Sequence, residues 1–374
     1  MMRKSIYAAL IAASTFLIFQ GCKKSSDTNT AATGSTSFDR QGMLSNLSTN
    51  IILPAYTSFS ADAASLDAAV AAFNTTPNAT TLAAVQLAFK TTYQQWQSTS
   101  VFEVGPADNT QLRENVNTYP TDVTQINANV TSGAYNPALL ANLSAKGLPA
   151  LDYLLFGIGA DNNAILLQYT TDSKAANRKT YLAALSSELK AEAAAVLTSW
   201  GTYKTTFINS TGTDAGSSTS LLVNQLVFDY EILKNQEIGI PAGVQSMNTV
   251  LPTKVQAYYS KMSVQLVLLH LQAIENIYLG KSATGDGLGL DDYLIKANAK
   301  YSDGTSLNDV IKAQFATATA KLQALTDPLS DNISANPAAA LAAYTELQKL
   351  TVLLKTDMTS SLGILINFGD NDGD

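Results

Sequence analysis

Residues 82–96, LAAVQLAFKTTYQQW, set Leu82, Val85, Phe89, Tyr93 and Trp96 at intervals of three and four. On a helix of 3.6 residues per turn those positions share one face, so the stretch reads as an amphipathic helix with a single apolar stripe. The same spacing returns in Leu182, Leu185, Leu189, Ala193, Val196 and Trp200, then in Leu222, Leu226, Tyr230 and Leu233. It recurs in Ile311, Phe315, Ala318, Leu322 and Leu325, and in Leu347, Leu350 and Leu354. Sustained strand alternation is absent, and the fold class expected is all-α. Residues 209 to 220, NSTGTDAGSSTS, hold no large apolar side chain. They divide the chain into two helical-bundle domains, an N-terminal one over 38 to 208 and a C-terminal one over 221 to 374, with 209 to 220 as linker. Between residues 258 and 279 apolar side chains from Met262 to Ile277 cover most faces of a helix, which predicts a central buried helix rather than a membrane span. Pro54 should kink or split the first helix.

The start of the chain points to a compartment. Arg3 and Lys4 precede an apolar run over residues 5 to 19, and Gly21 precedes Cys22, the one cysteine in 374 residues. That order reads as a signal peptide over 1 to 21, with Cys22 as the lipid-bearing first residue of the mature chain and 22 to 37 as anchor and flexible tether. Phe19 stands where such processing sites usually carry Leu. A plain secreted protein is the alternative. The expected location is the bacterial cell envelope, with the outer membrane and its periplasmic side favoured because Lys23 and Lys24 are not an inner-membrane retention signal. No cysteine follows, so packing must hold the fold. A net charge of −7, only 14% charged residues and no basic cluster past the start exclude nucleic acid as a partner. A cation, a neutral sugar or a peptide fits better.

The most interrupted part of the chain is 101 to 165, and irregular segments in a helical scaffold are where binding residues tend to sit. Within it lies Gly147-Leu148-Pro149-Ala150-Leu151-Asp152-Tyr153-Leu154-Leu155-Phe156-Gly157. Its plain reading is a short helix that starts near Pro149, has Asp152 in its first turn and buries Leu148, Leu151 and Leu155. The segment also resembles the signature of the imelysin family, G-x-H-x-x-E with a Y/F-L-L-x-G tail. Gly147 matches the glycine, Pro149 stands at the histidine and Asp152 at the glutamate. Similarity continues in Trp96 with Phe102 to Pro106, in Asn117 to Asp122, in Thr356-Asp357, in Ser361 to Gly363 and in Asp370 to Asp374. The resemblance implies a pair of helical bundles with the signature near their interface, on envelope proteins linked to iron acquisition, some of whose relatives have been called peptidases. Pro149 offers no donor atom and Asp is shorter than Glu, so the metal-binding half of the signature is damaged.

Counting residues bears on the peptidase label independently. A catalytic zinc takes about three ligands drawn mainly from His and Cys, yet the chain has one histidine, His270, and a cysteine assigned to lipid. No zinc and no catalytic residue are expected. His270 lies in the most apolar helix with Glu275 on another face, and reads as a core histidine. Hard cations such as Fe³⁺ or Ca²⁺ accept carboxylate and tyrosine oxygens instead. The candidates for such a site are Glu103, Asp122 and Asp152; the competing reading makes Asp152 a helix cap and the other two loop hydrogen-bonders. Asp370, Asp372 and Asp374 begin like a calcium loop without its remaining positions, and read as a solvated terminus. Gly285 to Gly289 follows no strand, so a phosphate loop fails on context. The function expected is a non-catalytic envelope lipoprotein that binds its ligand between two helical halves, either a cation or, with Tyr119 and Tyr153 as stacking faces, a polysaccharide or peptide; a peptidase, by the family's older name, is the third alternative, against which the missing ligands count.

Overall fold

Arg40 to Thr75 is one unbroken helical run made of α1 (Arg40–Asn46), a π-helical segment Leu47–Ile52 and α2 (Leu53–Thr75). The computed structural model describes residues 37 to 137 and 139 to 368; the signal segment, Cys22, Asp370, Asp372 and Asp374 lie outside the described residues. Asp39 starts the run by accepting a hydrogen bond from the Gly42 amide at 2.8 Å. Pro54 does not split the helix as expected. It falls where the turn has already widened: the Leu53 amide reaches back five residues to the Ser48 carbonyl, which relaxes the crowding a proline ring causes in a tighter turn.

The chain folds back into α3 (Ala79–Gln97), whose start is fixed by a reciprocal cap between Asn78 and Thr81 at 3.0 and 3.1 Å. The stripe Leu82, Val85, Phe89, Tyr93 and Trp96 is buried along its whole length. After α3 come short turns, among them α4 (Gly147–Asp152) and the π-helical Tyr153–Gly157, and then the long α5 (Ala175–Asn209). The helix α2 packs against both α3 and α5. Residues 210 to 217 connect to α6 (Ser218–Ile232), so the polar stretch is a short connection whose last residues already open a helix, with Ser217 as its cap. A π-helical segment Leu233–Gly239 extends α6, and α7 (Ser263–Tyr278), α8 (Leu307–Gln323) and α9 (Ala338–Val352) complete the second half. Here α8 packs on α7 and α9, while α9 also covers Leu233–Gly239. The chain is all-α: among the described residues β-structure is limited to two isolated bridges.

The halves meet extensively. The helix α7 lies on α3, and α1 touches both α5 and α6. Arg40 donates to the Tyr293 hydroxyl at 2.9 Å and Asn46 to the Gly280 and Leu288 carbonyls at 2.8 and 3.0 Å, so the first helix is stitched to the second half. The buried apolar side chains form one continuous cluster from Met43 to Ile364, and from Phe38 onward the chain is one compact unit. The central helix expected over 258 to 279 begins only at Ser263, where Asp327 accepts from the amides of Val264 and Gln265 at 2.9 and 3.1 Å. Residues 258 to 262 form a turn instead, and they matter for the site below. No described helix is long and apolar enough to cross a membrane.

Gly147 enters α4 with φ +68°, and a Cβ there would collide with the backbone carbonyl oxygens of Asn115 and Val116. Gly201, in the exposed middle of α5, has nothing within 4 Å of such a Cβ. Gly147→Ala should therefore lose about 1–2 kcal/mol to the left-handed conformation alone, and more to the clash. Gly201→Ala should be neutral or gain about 0.5–1 kcal/mol from helix propensity. Urea melts of the two variants side by side test this, and equal effects would refute it.

Candidate functional site

A cavity of about 220 Å³ opens where the two halves meet, lined from the first half by Tyr119, Pro120, Thr121, Pro149 and Asp152 and from the second by residues 253 to 259. Asp152 is 2% exposed. It does not cap its own helix: its two carboxylate oxygens accept from the backbone amides of Tyr259 and Ser260, each at 2.9 Å. The reason is that the chain widens into a π-helix directly after Asp152, while the 258 to 262 turn, preceded by Ala257 (φ +51°) and containing Lys261 (φ +60°), aims successive N–H groups at it. Gly157, the last residue of the tail, lets the Tyr259 ring lie against the backbone, where a Cβ would clash. Tyr259 also contacts the Tyr153 ring at 5.1 Å. Burial pushes the Asp152 carboxyl up to about 6, against the pull of those amides and of Lys90. At neutral pH it is mostly ionised but close to taking up a proton.

Beside this cavity runs a chain of buried charges. Glu103 accepts from the Arg113 amide at 2.9 Å and from its Nε at 2.7 Å. The Arg113 guanidinium also pairs with Asp229 and donates to the Ser100 carbonyl at 2.7 Å. Asp229 lies 2.5 Å from His270 Nε2, and Glu237 lies 2.8 Å from His270 Nδ1. Burial favours the neutral imidazole, but the carboxylates of Asp229 and Glu237 outweigh it and hold the ring charged with a pKa near 10. Burial likewise works against an ionised Asp229, yet Arg113 and His270 draw it down to about 2. Both are thus ionised across the physiological range, and three acids alternate with two bases through the interior. A small space of about 30 Å³ at the end of the chain is bounded by Arg113, Glu237, His270 and Tyr119. Tyr119 also lines the larger cavity, and burial together with the charge of Glu237 pushes its hydroxyl well up.

The residues singled out from sequence fall in three places. Asp152 and Pro149 line the cavity, with Gly147 at the entrance to their helix. Glu103 is bound to Arg113 in the charge chain, and Asp122 is an exposed cap that accepts from the Gln125 amide at 2.9 Å. Among the described residues no group of three or more His, Cys, Asp and Glu is placed to hold a metal ion. His270 is a core residue, but a charged one in a five-member ionic chain, which the sequence reading missed. A signal for it existed. Asp229 lies three residues after Leu226 and four before Leu233, on the apolar stripe of its helix, and Glu237 follows Leu233 by four. Tyr258 and Tyr259 were also missed, because the apolar run beginning there reads as helix.

Removing one member of a buried pair strands the others, so His270→Ala should cost about 3–5 kcal/mol at neutral pH. Because the His270 pKa is raised in the fold, its stabilisation is fully present below pH 6.5 and lost as pH rises through about 10. Asp229, lowered in the fold, contributes above pH 3.8 and loses its contribution as pH falls towards 2. Urea midpoints of the native chain should thus fall between pH 7 and 10, and His270→Gln should flatten that fall. An identical alkaline slope in both proteins would contradict the assignment.

Comparison with known proteins agrees with this architecture. The imelysin family, Peptidase_M75, matches residues 52–355. Iron-regulated protein A of Synechococcus elongatus is 23% identical over 306 residues, covering 79% of this chain and 78% of that protein. Among solved structures, a putative iron-regulated protein A precursor from Parabacteroides distasonis superposes with a TM-score of 0.70 at 15% identity over 87% of this chain and 95% of that one. An imelysin-like protein from Psychrobacter arcticus gives a TM-score of 0.67 at 19% identity over 88% and 97%. With its family match covering most of its length and its fold shared with these structures, the chain belongs to the imelysin family.

Proposed function

We propose that this protein is a non-catalytic, lipid-anchored envelope member of its family that holds an oxygen-ligated hard cation, ferric iron foremost, in the cavity at Asp152. The observation that carries the reading is the donor set: one buried carboxylate and the three tyrosines Tyr119, Tyr258 and Tyr259 line a single cavity whose lining, among the described residues, includes no histidine or cysteine. Hard, highly charged cations favour such oxygens, and binding a ferric ion would expel the phenolic protons that burial retains on Tyr119 and Tyr259. The name of the Synechococcus relative, iron-regulated protein A, is in keeping with this ligand. A peptidase reading has little support, since both ring nitrogens of the lone histidine are occupied by Asp229 and Glu237. Lipidation at Cys22 and an outer-membrane location remain part of the proposal, resting on the order of residues 3 to 22.

Elemental analysis after exposure to Fe, Ca, Zn and Mn tests the ligand. Near-stoichiometric iron with a visible phenolate-to-iron absorption is expected. Tyr258→Phe with Tyr259→Phe should leave Tyr119 as the remaining phenolate and weaken the absorption, and Asp152→Ala should abolish the iron. The tyrosine pair is the cleaner variant, because Asp152 also anchors the 258 to 262 turn. Absence of metal from the native protein would overturn the cation reading and leave a sugar or peptide as the ligand of this cavity.

A further inference from the structure

A second cavity, of about 450 Å³ and so about twice the volume of the one at Asp152, is built by the 103 to 109 segment, α5, α6 and residues 367 and 368. Its size falls within the range of small-molecule sites. We infer that it is a second binding site and that its ligand is a neutral saccharide. Three rings face it, Tyr203, Phe228 and Phe368. Phe228 stands 38% exposed on a helix that is otherwise largely buried, and its edge contact with Phe368, 5.4 Å between centroids, fixes the angle between the two rings. The other polar lining consists of the amides of Asn109, Asn224, Gln225 and Asn367, the carboxylate of Asp108 and that of Glu103, which Arg113 holds. Gln225 Nε2 is buried without a hydrogen-bonding partner.

This combination selects a ligand class. An anion would meet the carboxylate of Asp108 with no lysine, arginine or histidine lining the space. A metal cation would find only the exposed Asp108, because Glu103 is already paired with Arg113. A wholly apolar ligand would leave the Gln225 amide buried and unpaired, at a cost of about 1–3 kcal/mol. A sugar ring offers C–H faces to the aromatic side chains and hydroxyl pairs to the amides and carboxylate, and so satisfies both kinds of wall. The inference does not depend on the cation reading of the Asp152 cavity, which shares none of these residues.

Saturation-transfer NMR on the full chain tests it, with maltotriose, mannotriose, xylotriose and tri-N-acetylchitotriose as probes and trigalacturonate as charged control. Binding of at least one neutral trisaccharide is expected, with none of the control. Phe228→Ala, Gln225→Ala and Asn109→Ala should each weaken it, the first by about tenfold. Asn109 is exposed, so that variant keeps the test decisive even where Phe228→Ala does not fold. Silence from all four neutral probes overturns the inference, as does equal binding of trigalacturonate. Binding that survives these substitutions but disappears in Asp152→Ala would assign the sugar to the other cavity and overturn it equally.

Discussion

Everything around the junction of the two halves depends on a charge that cannot leave. Arg113, on a short turn of the interrupted region, sends its guanidinium between Glu103 and Asp229, and Asp229 in turn shares His270 with Glu237. An isolated ion in such surroundings would cost several kcal/mol. Each member is tolerable only while its neighbours remain, so the broken segment at 100 to 117, the extended α6 and the centre of α7 are locked in one arrangement. Apolar packing alone would allow α7 to slide or rotate against its partners. The alternation of charges permits one register.

The helical scaffold was readable residue by residue. The stripes of α3 and α5 are buried as their spacing requires, because a periodic apolar face has one stable fate in water. Asn78 and Thr81 likewise announce the start of α3 through local chemistry. What escaped was produced by contacts distant in sequence and by departures from the 3.6-residue turn. On a regular helix Asp229 and Glu237 would be about 80° apart around the axis. The π-helical turn after Ile232 opens the spiral and brings both carboxylates onto the same histidine. No periodicity analysis that assumes one helix type finds that pairing. Pro54 illustrates the same limit, since a widened turn ahead of it absorbs the disruption.

The site was half legible. Asp152 and Pro149 do line a cavity between the halves, but the reason for Asp152 is not the dipole of its own helix. Two amides from a turn over a hundred residues away bind it, and that turn was hidden inside an apolar run that reads as helix. Glu103 and Asp122 carried the right residue type in the right region and still serve elsewhere, one in the charge chain and one as a cap. Residue type and local context predict that a carboxylate will be engaged; only the tertiary fold decides by what. The signature glycine has a clearer logic, since its left-handed entry and its approach to the Val116 carbonyl are properties of the scaffold and survive whatever stands at residue 149.

Pro149 has one more effect. With Pro120 it forms a stiff part of the cavity wall, and Asp152 at its base is already held by two hydrogen bonds. A guest entering this space pays little conformational entropy to order its host, because backbone torsions there are restricted before it arrives. Association would then be governed by stripping water from the carboxylate and the phenols rather than by a closing motion. For a ligand held there, affinity differences would translate into residence time, and release, not capture, would be the step that selects among guests.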